Sequence, residues 1–283
     1  MSVDLHSHTT YSDGAHAPAE LVRLAGEAGV QTVAVTDHDT FAGLPEALHA
    51  GEKHGVRVVI GVEISVRHRP GTFHLLAYFP ELETQPLADR LDEMRCRRET
   101  RARTILDRLD CLGAPVEWGD VTRRARGAIG RPHIADAMVA AGHVPDRQAA
   151  FDRYLASDAP AFEPSRGLEP DEAVALVRES GGAPVLAHPY SLRLRRKDLG
   201  STIHRLTQRG LAGIEVHRPD HTPDQFRTLS NLARRRDLIP CGGSDFHRQS
   251  DDRRLGNTGM PPLSADTPEL LLEYCERDHP TRT

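Results

Sequence analysis

Apolar runs too short for anything but strands alternate, over most of the chain, with stretches whose apolar positions recur at helical spacing. Val3 and Leu5 alternate with polar neighbours as in a strand. Pro18 then opens a predicted helix to Ala28, with Leu21, Val22, Leu24 and Ala25 apolar and Gly29 ending it. Thr32–Thr36 reads as a buried strand, and Leu44–His54 as a helix stopped by Gly55. Arg57–Ile64 and Phe73–Phe79 read as the third and fourth strands. The alternation resumes with a strand over Ala183–His188, a helix from about Gly200, a strand over Gly213–His217, a helix from Pro223 and a strand running into Leu238–His247. A helix from Pro268 to about Cys275 closes the chain. Seven strands with intervening helices predict an α/β fold with a mostly parallel sheet or barrel.

Between Leu87 and Arg178 the pattern breaks. No strand is predicted there, and Leu87, Leu91, Met94, Ile105, Leu106 and Leu109 fall at helical spacing. The expected organisation is a barrel from residues 1–86 and 179–283 with a helical insertion, a lid, over 87–178. Its arginine runs, Arg95/Arg97/Arg98/Arg101/Arg103 and Arg123/Arg124/Arg126, are expected to be solvated helix faces.

Composition narrows the class. A hydrophobic share of 38% and a charged share of 27% suit a soluble globular protein. A net charge of -5 argues against wrapping long duplex nucleic acid, while leaving room for local basic patches that grip a small phosphate. Cys96, Cys111, Cys241 and Cys275 show neither CxxC spacing nor a dense framework, as in a reducing compartment. Polar residues at the N-terminus and the lack of a long apolar run make a cytoplasmic protein, without membrane contact, the expectation.

The 16 histidines cluster in a way that changes the picture. His6 and His8 share one face of a strand end, and Asp245 and His247 repeat that spacing. His38, Glu63 and His188 also fall at or just beyond strand ends, Asp13 in a Ser-Asp-Gly turn after the first strand, and His74 near the start of the fourth. In α/β barrels the carboxyl-end face carries the active site. Nine nitrogen and oxygen donors without a thiolate favour Mn²⁺, Fe or Zn²⁺, and they exceed the needs of one cation. A bridging carboxylate would let them hold two or three divalent metal ions.

With these motifs assembled, the chain resembles the PHP (polymerase and histidinol phosphatase) superfamily of metal-dependent phosphoesterases. The resemblance rests on His6-Ser7-His8 with Asp13, Thr36-Asp37-His38-Asp39, His188-Pro189 and Gly243-Ser244-Asp245-Phe246-His247, in that order. It implies a distorted (β/α)7 TIM-like barrel with a trinuclear site. In that scheme His6, His8, Glu63 and Asp245 hold a first metal, Glu63, His74 and His188 a second, and Asp13, His38 and His247 a third. Aspartate at position 13, a histidine in some branches, is expected to favour a harder ion there.

Ile129-Gly130-Arg131-Pro132-His133-Ile134-Ala135 resembles a signature of the TrpH/YciV-like subfamily, as does Gly213-Ile214-Glu215-Val216 followed by His217 and Pro219-Asp220-His221. That likeness implies a nucleotide phosphatase acting on 3′,5′-bisphosphonucleotides and 5′-AMP, with 5′→3′ exonuclease action on short RNA. It makes Arg131 and His133 phosphate ligands from the lid; a guanidinium offers a planar fork to phosphate oxygens. The other reading of Arg131 is an ion pair with an acid such as Asp136. The chain departs from the pattern at Ser165-Arg166-Gly167, where a more basic loop is expected, and at Arg248-Gln249-Ser250, which lacks a glycine.

The chemistry implied is attack on phosphorus by a metal-acidified water, in line with the leaving ribose oxygen. Asp39, His133 and His217 are the candidate proton donors to that oxygen, and Asp37 or Asp39 is expected to orient a ligand imidazole. Tyr190 could stack on a base, and Arg193, Arg195, Arg196 or Lys197 could reach substrate from the same loop. A monomer acting on a small phosphorylated substrate is expected. The alternatives are a histidinol-phosphate phosphatase, against which the Arg131/His133 motif argues, and a non-catalytic metal-binding PHP module, which would have eroded ligands.

Overall fold

Residues 2–82, 86–125, 129–164, 167–249 and 254–278 are described by a computed structural model of the chain. The expected strands pair in chain order into one nearly closed seven-stranded barrel: β1 (Ser2–Asp4), β2 (Val30–Val35), β3 (Arg57–Val66), β4 (Phe73–Phe79), β5 (Ala183–Leu186), β6 (Gly213–His217) and β7 (Ile239–Gly242). The seam between β1 and β7 is carried by their continuations, where Leu5 N–H donates to Gly242 and Phe246 N–H to His6. At that seam a Cβ on Gly243 would lie 2.4 Å from the His6 backbone nitrogen, so only glycine lets the two segments approach.

β4 corrects the parallel expectation: it runs antiparallel to both β3 and β5, with Ser65 opposite His74 and Leu75 opposite Leu186. The physical reason is the six-residue connection 67–72, far shorter than the dozen or more residues a parallel crossover needs. The reversal puts the start of β4, and so His74, at the carboxyl ends of its neighbours.

Helices α1 (Pro18–Glu27) and α2 (Leu44–His54) cover β1–β3, and α8 (Arg196–Thr207), α9 (Pro223–Arg235) and α10 (Thr267–Asp278) cover the rest. Both α1 and α2 carry proline in the first turn, and Gly55 ends α2 in the left-handed region at φ 67°. The segment between β4 and β5 is helical: α3 (Leu87–Cys111), α4 (Trp118–Thr122), α5 (Arg131–Ala140), α6 (Arg147–Ala150), a π-helical turn Phe151–Leu155 and α7 (Pro170–Glu179). Its middle, from Ala102 to Ala161, has an apolar cluster of its own. Its ends do not: Leu87, Leu91 and Met94 of α3 and Ala173, Val174 and Val177 of α7 pack into the barrel's cluster. Helix α3 therefore belongs to both cores. Among the described residues no helix is long and apolar enough to cross a membrane.

Candidate metal centre

Asp4 anchors the strand that carries the first two histidines. Fully buried, it accepts hydrogen bonds from the Ser244 N–H (2.9 Å), the Ser244 hydroxyl (2.6 Å) and the Gly256 N–H (2.9 Å), tying β1 to the loop after β7. Above it, His6, His8, Asp13, His38, Glu63, His74, His188, Asp245 and His247 all converge on the carboxyl-end mouth of the barrel. Glu63 sits at the centre: Oε1 lies 2.8 Å from His74 Nδ1 and 2.9 Å from His188 Nε2. Its Oε2 lies 3.1 Å from His38 Nδ1, 3.3 Å from His8 Nε2 and 3.4 Å from His6 Nε2. Asp245 Oδ1 faces His6 and His8 at 3.5 and 3.4 Å, and Asp13 Oδ1 faces His247 Nε2 at 3.2 Å.

Three sets of donor atoms lie mutually within 4.8 Å: His8/Asp13/His38/His247, His6/His8/Glu63 and His38/Glu63/His74. They resemble the expected partition, with four differences. His8 also reaches the Asp13 group, His38 also reaches Glu63 and His74, and neither Asp245 nor His188 falls within its expected set.

Divalent cations fit these donors. His6 Nε2 and His8 Nε2 face each other at 3.1 Å, a separation that suits two lone pairs only with something positive between them or one proton shared. Asp13 Oδ1 and His38 Nδ1 are buried without a hydrogen-bond partner. The electrostatics agree. Burial opposes a charge on His6, yet Glu215, Glu63 and Asp245 overcome it and push the imidazole up to about 10. His8 is raised as well, against burial, by Asp245 and Glu63. Burial works to raise Glu63, Asp13 and Asp245, but the surrounding imidazoles hold all three well below the carboxylate range. His38 and His188, by contrast, are lowered by burial and keep neutral, electron-donating rings. The pocket demands positive charge.

The far nitrogens of four of these rings are also held. His6 Nδ1 contacts Glu215 Oε1 at 2.9 Å, His188 Nδ1 the Ser191 hydroxyl at 2.7 Å and His247 Nδ1 the Asp245 carbonyl at 2.9 Å. His8 Nδ1 lies 3.4 Å from the Ser12 hydroxyl, which donates to Asp37. Such partners fix tautomer and orientation and leave the other nitrogen for a cation. Asp39, His188 and Asp245 take left-handed backbone angles, with φ of 52°, 26° and 53°. Strain of this kind costs about 1–3 kcal/mol per residue and gathers where surrounding bonds impose it.

The cavity beside the donors, about 1090 Å³, is bounded on the opposite side by the helical segment. Asp13, His38 and His74 line one wall; Arg98, Arg101 and Arg131 line the other, with Phe151 and Phe162 beside them.

The PHP domain matches residues 4–93 as a sequence family. The chain is 34% identical to the 5′-3′ exoribonuclease Rnm of Salmonella typhimurium over 266 residues, 93% of this chain and 91% of that one. The chain belongs to the PHP family. It is 31% identical to the 3′,5′-nucleoside bisphosphate phosphatase of Chromobacterium violaceum, with 93% of each chain covered. A Bifidobacterium adolescentis crystal structure, provisionally described as a metal-dependent phosphoesterase, superposes with a TM-score of 0.87 at 32% identity over 96% of both chains. This PHP protein is thus a hydrolase of the metal-dependent phosphoesterase kind.

Several other expectations need correction. Arg98 and Arg101 are not a solvated face. Arg98 donates from Nε to Asp39 and from its terminal nitrogen to Ser65, and Arg101 donates to the Glu163 carbonyl at 2.7 Å. The two are one helical turn apart, where α3 passes from one apolar cluster to the other. Asp39, expected as a proton donor, has both oxygens taken, by Arg98 and by the Ser65 N–H. His217 turns from the centre, with Nδ1 on the Pro261 carbonyl at 2.8 Å and its ring against Phe226; β6–β7 pairing shifts register between Glu215 and His217. Tyr190 packs edge-on to His221, and neither it nor Arg193, Arg195, Arg196 or Lys197 lines the cavity.

His133 Nδ1 accepts the Gly130 N–H at 3.0 Å, capping α5, and its ring faces the Ser12 carbonyl. Arg131 does not pair with Asp136, which is taken by Arg147; it donates instead to the Leu155 carbonyl at 2.9 Å, beside the Phe151 and Phe162 rings. Arg126, Ser165, Arg166 and Ser250 lie outside the described residues. Glu215, quoted above only as part of a motif, and Arg218 emerge as buried charged residues behind the donors.

Proposed function

We propose that this hydrolase releases phosphate from small nucleotides, 3′,5′-bisphosphonucleotides and 5′-AMP, and trims short 5′-phosphorylated RNA. The observation that carries the reading is the opposition of two walls: Asp13, His38 and His74, the edge of the donor cluster, share one cavity with the guanidinium groups of Arg98, Arg101 and Arg131. His6, His8, Glu63 and Asp245 would hold one cation, Glu63, His74 and His188 a second, and Asp13, His38 and His247 a third. Mn²⁺ is the expected ion. Bound cations supply Lewis acidity toward phosphate and a water acidic enough to attack at neutral pH.

The chain's own residues do the rest. Burial lowers Arg101 first, then the charges of Arg131 and Arg98, and Arg131 is lowered by burial and by Arg98. A phosphate dianion relieves that repulsion and is gripped by planar forks. Phe162, already faced by Arg69, Arg101 and Arg131, offers a ring on which a base stacks. The helical segment acts as a lid that keeps bulk water from the reacting phosphate. The molecule works as a monomer in the cytoplasm, consistent with four free thiols.

Phosphate release by the Mn²⁺-loaded protein from 3′,5′-bisphosphoadenosine, 5′-AMP, histidinol phosphate and a 5′-phosphorylated short RNA tests the reading. Turnover of the nucleotides, lost in Arg131→Ala, is the expected result. Preference for histidinol phosphate would overturn the substrate class, and no release from any of them would sink the reading altogether.

A further inference from the structure

Behind the donors lies one charged group that the chemistry above does not use. Arg218 follows β6 and its side chain is 2% exposed. It donates to Glu215 Oε2 (3.1 Å) and to Asp245 Oδ2 (3.3 Å), and from Nε and a terminal nitrogen to both oxygens of half-exposed Asp220 (2.9 and 3.0 Å). Each inner partner belongs to the metal pocket. Glu215 holds His6 Nδ1 through its other oxygen and takes the His188 backbone N–H. Asp245 points Oδ1 at His6 and His8 while Oδ2 is turned to the guanidinium. One side chain therefore touches, directly or through Glu215, three of the nine donors.

We propose that Arg218 is a positioning residue that sets the charge of the divalent-cation site and the orientation of Asp245 within it. Its fork spans both oxygens of Asp220, and one terminal nitrogen holds Asp245 Oδ2 while Oδ1 faces His6 and His8. Its charge offsets Glu215, so the pocket attracts cations less strongly than its carboxylates alone would. The inference rests on the metal-dependent phosphoesterase reading, and it goes beyond that reading by naming what keeps the cations electron-poor. A cation less neutralised by its ligands polarises a phosphate more. Asp220 tempers the guanidinium from the outside, so the two residues form a graded counter-charge.

The signs are distinctive. In Arg218→Met, of similar length but neutral, Asp245 loses the guanidinium at Oδ2 and the repulsion toward cations disappears. Mn²⁺ is then expected to bind about ten-fold more tightly while kcat falls about ten-fold with KM unchanged. Arg218→Lys keeps the charge and loses the fork, and should restore Mn²⁺ affinity to within about three-fold of the parent with intermediate kcat. Asp220→Asn, a change at a half-exposed position that the fold tolerates, exposes the donors to more of the guanidinium's field and should weaken Mn²⁺ binding a few-fold.

Calorimetric Mn²⁺ titration of the full chain and its variants, with the metal-free Tm beside it, reads these outcomes without any substrate. A merely structural Arg218 predicts weaker Mn²⁺ binding in Arg218→Met together with a lower Tm, and that result overturns the proposal. So does unchanged Mn²⁺ affinity in Asp220→Asn, which keeps the test decisive should Arg218→Met fail to fold. If the affinities shift as expected and no substrate is turned over by the parent, the phosphoesterase reading fails and the charge-setting role stands.

Discussion

The two walls of the cavity are built by different means. The donor wall sits on strand ends: its side chains are short or ring-shaped, and the far nitrogens of His6, His8, His188 and His247 are fastened to Glu215, Ser12, Ser191 or backbone. The guanidinium wall sits on helices and reaches inward with long side chains, held by carbonyls of Leu155 and Glu163 and, for Arg98, by Asp39. One wall is arranged before anything binds. The other is repulsive within itself until an anion arrives, so it contributes to holding substrate rather than cations. That division can be broken from either side.

The largest effect is expected at Glu63, which contacts five imidazoles. Glu63→Gln should lower kcat by about 10³-fold or more and reduce the bound metal measured by atomic emission. Retained metal at full stoichiometry would show that the bridging carboxylate is dispensable. Next comes Arg131→Ala, expected to cost about 10²-fold in kcat/KM with metal content unchanged. Loss of metal in that variant would erase the distinction between the walls. Arg98 tests the joint between them, because it lines the cavity and also partners the buried carboxylate of Asp39. Arg98→Ala should cost roughly 3 kcal/mol in denaturant unfolding besides its effect on KM, since it strands a buried charge.

A smaller effect is a proton count. His6 is raised to about 10, so between the ordinary histidine range and about 10 the metal-free folded protein keeps a proton that the unfolded chain has lost. That contribution to metal-free stability is full below about 6.5 and fades as pH rises through about 10. Mn²⁺ uptake at pH 8 should therefore release at least one proton, measured by calorimetry in buffers of different ionisation enthalpy, and affinity should rise with pH. Zero release would mean that the carboxylates do not charge His6. Smallest of all, His217→Ala and Tyr190→Phe should leave kcat/KM within about two-fold, because neither side chain faces the reacting groups.

The same contrast explains what could be read from residues alone. Period-two spacing and placement at strand ends made seven of the nine donors legible, all but Asp13 and His74, since a strand dictates which side its side chains take. Arginines at i and i+3 on a helix look alike whether they meet water or a cavity, and Arg98 and Arg101 were missed for that reason. A glutamate within the short apolar strand at Gly213–His217 was the available sign of Glu215, and Arg218 three residues on was its natural partner. Strand number was legible, but direction was not drawn from the six-residue link 67–72, which was too short for a crossover. His217 shares Glu215's strand parity, and only the register shift in β6–β7 pairing shows why it leaves the centre.

The reversed strand has a consequence for modularity. Because β4 ends at the foot of the barrel, α3 starts there, where the Leu87 N–H donates to Ser180, and climbs about 37 Å. It passes the rim at Arg98 and ends within the upper cluster; α7 descends beside it, joined by the Arg90–Glu172 pair at 3.3 Å. The insertion is thus carried on a two-legged mast sunk into the barrel's flank. Excision at 87 and 178 would strip β3, β4 and β5 of their cover, whereas a cut between the rim and the upper cluster would leave the legs and their packing in place. The helices that bear the cap are, by their packing, part of the barrel.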